Sequence, residues 1–98
     1  PAGCFMINTS AALAASSKEI AKTIKSRHAV QEQTLREFLQ HRQEKGEIPA
    51  GKDVKELALF LSCVLQGMSI SAREGASFDT LMQITRTTLG LWPHMLGE

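Results

Sequence analysis

Three histidines, two cysteines and a scatter of serines are the residues in this 98-residue chain that could carry bond-making chemistry. His28, His41 and His94 stand far apart, and no two share a metal-ligand spacing. Cys4 and Cys63 are isolated, form no C-x-x-C pair and have no neighbouring histidine in sequence. They read as two reduced, partly buried thiols of a cytosolic protein rather than a zinc site. The serines cluster at helix starts and on small-residue faces. Nothing here composes a nucleophile with its base, and no catalytic residue, metal ligand or cofactor is expected.

A different chemistry is possible: polar groups set into apolar stripes, which is how a small-molecule cavity is built. Arg27 and Gln31 fall on the same helical line as Ile20, Ile24, Leu35 and Phe38, interrupting it halfway. Polar groups there must be paired, solvated or aimed into a cavity. Either the stripe leaves the core in that stretch, or these side chains face a ligand, with Thr34 and Phe38 as neighbours. Asn8 lies on the line of Cys4, Ala11 and Ala15, where its amide either bonds a ligand or ties down nearby backbone. Phe5, Thr9, Ala12, Phe60 and Val64 are candidate wall residues.

The elements that must position these groups are helices. Hydrophobic residues make up 43% and charged residues 21%, ordinary for one small globular domain. Four Phe, one Trp and no Tyr leave the core to aliphatic side chains. The three prolines, Pro1, Pro49 and Pro93, leave long stretches uninterrupted. Four helices are predicted: about Cys4 to Ala15, about Ser17 to Lys45, about Asp53 to Glu74, and about Phe78 to Trp92. Ser16 with Glu19 and Asp53 with Glu56 have capping-box spacing, and Ser77 can cap the last helix. Gly46 and Gly75 are stops, and Pro93 is expected to terminate the chain's final helix. No period-2 segment competes. The fold class is all-α, a single four-helix antiparallel domain over residues 1–98.

The net charge of +1 carries no footprint for nucleic acid. Lys18, Lys22, Lys25 and Arg27 read as a solvated helix face. The longest apolar run, Leu57 to Leu65, is broken only by Ser62 and falls far short of the roughly 20 residues of a membrane span. No membrane partner is expected. The abrupt opening "PAGCFMIN" looks like part of a longer protein.

The third predicted helix carries apolar residues on more than one side. Leu57, Leu61, Val64, Leu65, Met68 and Ala72 make a broad core face. The opposite side holds Leu59, Ser62, Cys63, Gln66, Ser69, Ile70 and Arg73, with little of the Lys and Glu that water-facing helices carry. In the fourth helix Phe78, Leu81, Thr85, Leu89 and Trp92 point inward, and Gln83, Arg86, Thr87 and Gly90 outward. Small residues at Gly67 and Gly90 would let helix axes approach closely. Closed two-fold symmetry is the commonest outcome for such a surface, so a homodimer is expected. Its interface would be a four-helix one, through Leu59, Cys63, Gln66, Gly67, Ile70, Arg73, Arg86 and Gly90.

Three segments in register extend this reading: "GCFMINTSAALA", "FLQHRQEKGEIPAGKDVKELALFL" and "LQGMSISAREG". On them, over essentially all of residues 3 to 92, the chain resembles the C-terminal regulatory domain of TetR/AcrR-type bacterial transcriptional regulators. The resemblance implies a domain that dimerises through its last two helices and senses a small hydrophobic effector. The first and second helices, with part of the third, would line the pocket. It implies a cytoplasmic parent protein, by family habit a repressor, that grips operator DNA through an N-terminal helix-turn-helix with no counterpart in these residues. The rival reading is a stand-alone helical dimeric adaptor for other proteins, without a small-molecule ligand. An in-frame upstream helix-turn-helix would favour the regulator, and a native start codon at this chain's beginning the adaptor.

Overall fold

The computed structural model describes residues 18–98, and among them every regular element is a helix. They are α1 (Lys18–Glu44), α2 (Val54–Arg73) and α3 (Phe78–Met95), matching the second, third and fourth helices expected from sequence. The predicted first helix, about Cys4 to Ala15, lies outside the described residues.

Local chemistry sets the ends of these elements. The Asp53 carboxylate accepts from the backbone N–H of Lys55 at 2.9 Å and of Glu56 at 3.3 Å, capping α2. Ser77 Oγ accepts from the N–H of Thr80 at 3.1 Å at the head of α3. Gly46 and Gly75 take φ of 82° and 97°, left-handed conformations that end α1 and α2 where side-chain-bearing residues would be strained.

Pro93 does not stop the last helix, contrary to expectation. α3 runs through it to Met95, and the chain turns at Gly97, with φ of 84°. A proline ring already has a helical φ; its cost is one missing N–H and crowding of the carbonyl four residues earlier. Only the first turn of a helix escapes that cost, so α3 carries it at Pro93, where the Leu89 carbonyl receives no N–H from residue 93. The turn beyond is closed instead by the N–H of Leu96 on the Trp92 carbonyl and that of Gly97 on the His94 carbonyl, both at 3.0 Å.

The core sits at one end of the molecule. Leu39 from α1, Ile48 from the turn, Val54, Leu57 and Ala58 from α2, and Leu96 after α3 are buried together. Leu35, Leu61, Trp92 and Met95 pack around them, half-buried. α1 and α2 pack closely against each other, whereas α3 touches α2 sparsely.

That asymmetry corrects two expectations about facing. Ser62, placed on the outward side by the wheel, is buried at 3% exposure, and Ala58 is fully buried. The buried residues of α2 are therefore Val54, Leu57, Ala58 and Ser62, with Leu61 half-buried among them, centred one flank round from the predicted face; Leu65 shares that side but is exposed one turn further on. Small residues four apart let a neighbouring helix come close. Ser62 is not left unpaired, because Gln66 Nε2 donates to its Oγ at 3.3 Å. In α3, Phe78 and Leu89 are 74% and 64% exposed rather than inward. Sparse packing on α2 leaves them uncovered, and no residue of α3 is fully buried.

By length and composition α2 also meets the requirements of a membrane crossing, with mean hydropathy 1.3. The run Leu57 to Leu65, broken only by Ser62, fell short of that length, whereas the longer helical window also takes in serines, Gln66 and Gly67. One such helix is weak evidence of a crossing, and 17% of its apolar window is buried among the described residues.

Candidate effector clefts and subunit face

Where α3 stands off from α2, two apolar clefts open and share Leu61, Thr88 and Leu89 as lining. The larger, about 290 Å³, lies between the C-terminal half of α1, the turn after it, α2 and α3. Phe38, Leu39, Ile48, Leu61, Leu89 and Trp92 form its walls, and Arg42 with Glu47 its charged edge. The smaller, about 200 Å³, continues toward the other end of α2 between Leu35, Val64, Leu65, Met68 and Thr85.

The charged edge is a built feature. Arg42 Nη1 lies 3.2 Å from Glu47 Oε2 and 3.4 Å from Oε1, and its guanidinium carbon sits 5.1 Å from the centre of the Phe38 ring. The arrangement pairs a carboxylate and an aromatic face with one cation. Both side chains keep contact with water. Below them the Gln43 amide holds the turn in place by donating to the carbonyls of Pro49 and Lys52, each at 2.9 Å. This anchoring seats Ile48 in the core and Glu47 opposite Arg42.

Of the residues singled out for ligand contact, Phe38 and Val64 line these clefts, Phe38 the larger and Val64 the smaller. Arg27, Gln31 and Thr34 are exposed on α1, with Thr34 Oγ1 donating to the Val30 carbonyl at 2.9 Å. Phe60 is exposed on α2 and lines neither cleft. Phe5, Asn8, Thr9 and Ala12 lie outside the described residues. Arg42, Glu47, Ile48 and Trp92 were not anticipated. Their meeting depends on how the turn folds back, which helical periodicity does not encode.

The residues assigned to subunit contact share a surface line on α2. Leu59, Cys63, Ile70 and Arg73 are exposed along it, and Gln66 is half-buried on Ser62. On α3, Arg86 and Gly90 are exposed. A methyl group built on Gly67 or Gly90 would meet nothing within 4 Å, so no helix among the described residues approaches either glycine. Among the described residues no group of His, Cys, Asp and Glu is arranged to hold a metal ion.

Comparison with known proteins fits this architecture. The chain is 62% identical over 96 residues to the HTH-type transcriptional repressor ComR of Escherichia coli (strain K12). The match takes in 98% of this chain and 46% of that protein, so the chain spans about half the length of this curated relative. No solved structure matches. Residues 1–87 match the family described as tetracyclin repressor-like, C-terminal domain. The chain therefore belongs to the tetracyclin repressor-like C-terminal domain family of TetR-type transcriptional regulators.

Proposed function

We propose that this chain is the effector-sensing and dimerisation part of a cytoplasmic TetR-type repressor, whose hold on operator DNA is relieved by a small hydrophobic ligand. DNA contact belongs to a segment outside these 98 residues. The near-doubled length of the relative and its description as an HTH-type repressor support that division.

One observation carries the reading: α2 is apolar on two sides, and the described chain packs tightly on only one of them. The side toward α3 opens into the paired clefts, which are apolar with a few placed polar groups, as ligand sites are. The other side presents Leu59, Cys63 and Ile70 beside open space at Gly67. A second copy laid there with its own α2 and α3 would complete a four-helix interface of closed symmetry. Sensing and assembly would then share one helix, so that ligand occupancy on one face biases the geometry of the other.

Thermal stability of the parent-length protein against a panel of small hydrophobic molecules tests this. Ligands that bind the folded state raise the melting temperature by mass action. Phe38→Ala should reduce a shift seen in the wild type, while Gln31→Ala separates a ligand-facing amide from a solvated one. If a broad panel gives no shift, or Phe38→Ala leaves every shift intact, the sensing role is wrong.

A further inference from the structure

We propose that the larger cleft takes an amphipathic carboxylate, a short apolar body bearing one anionic head, and that Arg42 is the residue that reads the head. This rests on the cleft being the effector site. Its volume of about 290 Å³ stands at the lower end of the roughly 300–1,000 Å³ found for small-ligand sites, room for one acyl or aryl body. Leu61, Leu89 and Trp92 line the apolar interior, so the head must come to rest at the edge, where Arg42 and Glu47 meet.

The two members of that pair are held unequally. Arg42 rises from α1, and its guanidinium lies over the Phe38 ring. Glu47 belongs to the turn beyond Gly46, with its side chain 54% exposed. An exposed ion pair of this kind contributes little to stability and opens readily. An incoming carboxylate can take the place of the Glu47 carboxylate at Arg42 Nη1 while Glu47 swings into water. One carboxylate is exchanged for another on the same guanidinium nitrogen, and burial of the apolar body drives the exchange.

A cationic amphiphile meets the opposite situation. To reach the aromatic face and Glu47 it must displace Arg42 from both, leaving a guanidinium without either partner. A neutral chain gains the apolar walls but nothing from the edge. The cleft therefore selects by sign of charge.

Trp92 is the chain's single tryptophan and lines the cleft, so its fluorescence reports occupancy directly. The full 98-residue chain is titrated with decanoate, decanol and decyltrimethylammonium below their micelle concentrations. Decanoate should shift the Trp92 emission saturably. Arg42→Gln should weaken decanoate about tenfold, as loss of a charge-assisted contact does, and leave decanol unchanged. Glu47→Gln, which removes the competing carboxylate, should tighten decanoate. Opposite movements of the two variants are not expected of residues that only hold the fold, and Glu47→Gln decides alone if Arg42→Gln loses helical circular dichroism. Equal binding of decanol and decanoate, unmoved by either variant, overturns the anion assignment but leaves the cleft as a site. Preference for the cation overturns it by sign. No response of Trp92 to any of the three overturns the effector cleft itself.

Discussion

The side-chain amide of Gln43 donates to the backbone carbonyl of Lys52, nine residues on, at 2.9 Å. The same nitrogen also lies 2.9 Å from the Pro49 carbonyl and 3.4 Å from that of Ala50. One amide thus satisfies carbonyls of a turn that has no sheet or helix to do so, and the turn delivers Ile48 to the core and Glu47 to the cleft edge.

Gln43→Ala should therefore lower the unfolding free energy by about 0.5–1.5 kcal/mol, the net worth of a hydrogen bond, since only the Lys52 carbonyl is part-buried and the Pro49 carbonyl keeps the Lys52 N–H. Urea denaturation followed by circular dichroism measures it. A midpoint identical to the wild type would mean that water serves the turn equally well.

Ala58 is completely buried where α2 packs most tightly. Ala58→Leu should force α1 and α2 apart and destabilise the fold by about 1–3 kcal/mol or more. The comparison is Leu59→Ala, one residue on and exposed, which should change the stability of the isolated chain by less than about 0.5 kcal/mol. Equal effects at the two positions would contradict the orientation of α2.

The carboxylate of Asp53 accepts both N–H groups that cap α2. Asp53→Ala should cost about 0.5–2 kcal/mol, and Asp53→Asn much less, because the amide oxygen still accepts. Thermal melts of the three proteins distinguish a cap from a role for the charge.

Gly67 separates two accounts of a helical glycine. In the single chain it faces open space, so replacing it with a larger residue should stabilise the helix by about 0.5–1 kcal/mol. If a second copy approaches there, Gly67→Leu should weaken assembly while leaving the dissociated chain as stable as the wild type or more so. Dilution series read by sedimentation velocity show which effect governs.

What the sequence made legible was whatever is local. Asp53, Ser77, Gly46 and Gly75 each mark a helix end through their own backbone or side-chain chemistry, and the structure uses all of them. The phase of burial was harder. Ser62 lies at the edge of the expected face of α2 and is buried, whereas Leu65, well inside that face, is exposed because it lies past the α2 residues of the core cluster. Ile48 and Leu96 belong to no periodic segment, so nothing in the pattern placed them in the core. Pro93 looked like a stop because of its missing N–H and ring crowding, yet α3 continues two residues past it, its helical φ being compatible with the turn. In the site, Phe38 and Val64 could be read from apolar stripes. Arg42 and Glu47 could not, since their pairing is made by a turn whose course the Gln43 amide holds.

The central claim is that α2 and α3 present a face to a second copy of the chain. Light scattering of the wild-type chain over a concentration series tests it most directly. The account predicts a particle of twice the 10.7 kDa chain mass that dissociates on dilution, and earlier for Gly67→Leu. A wild-type chain that stays at its monomer mass at the highest concentration would contradict it.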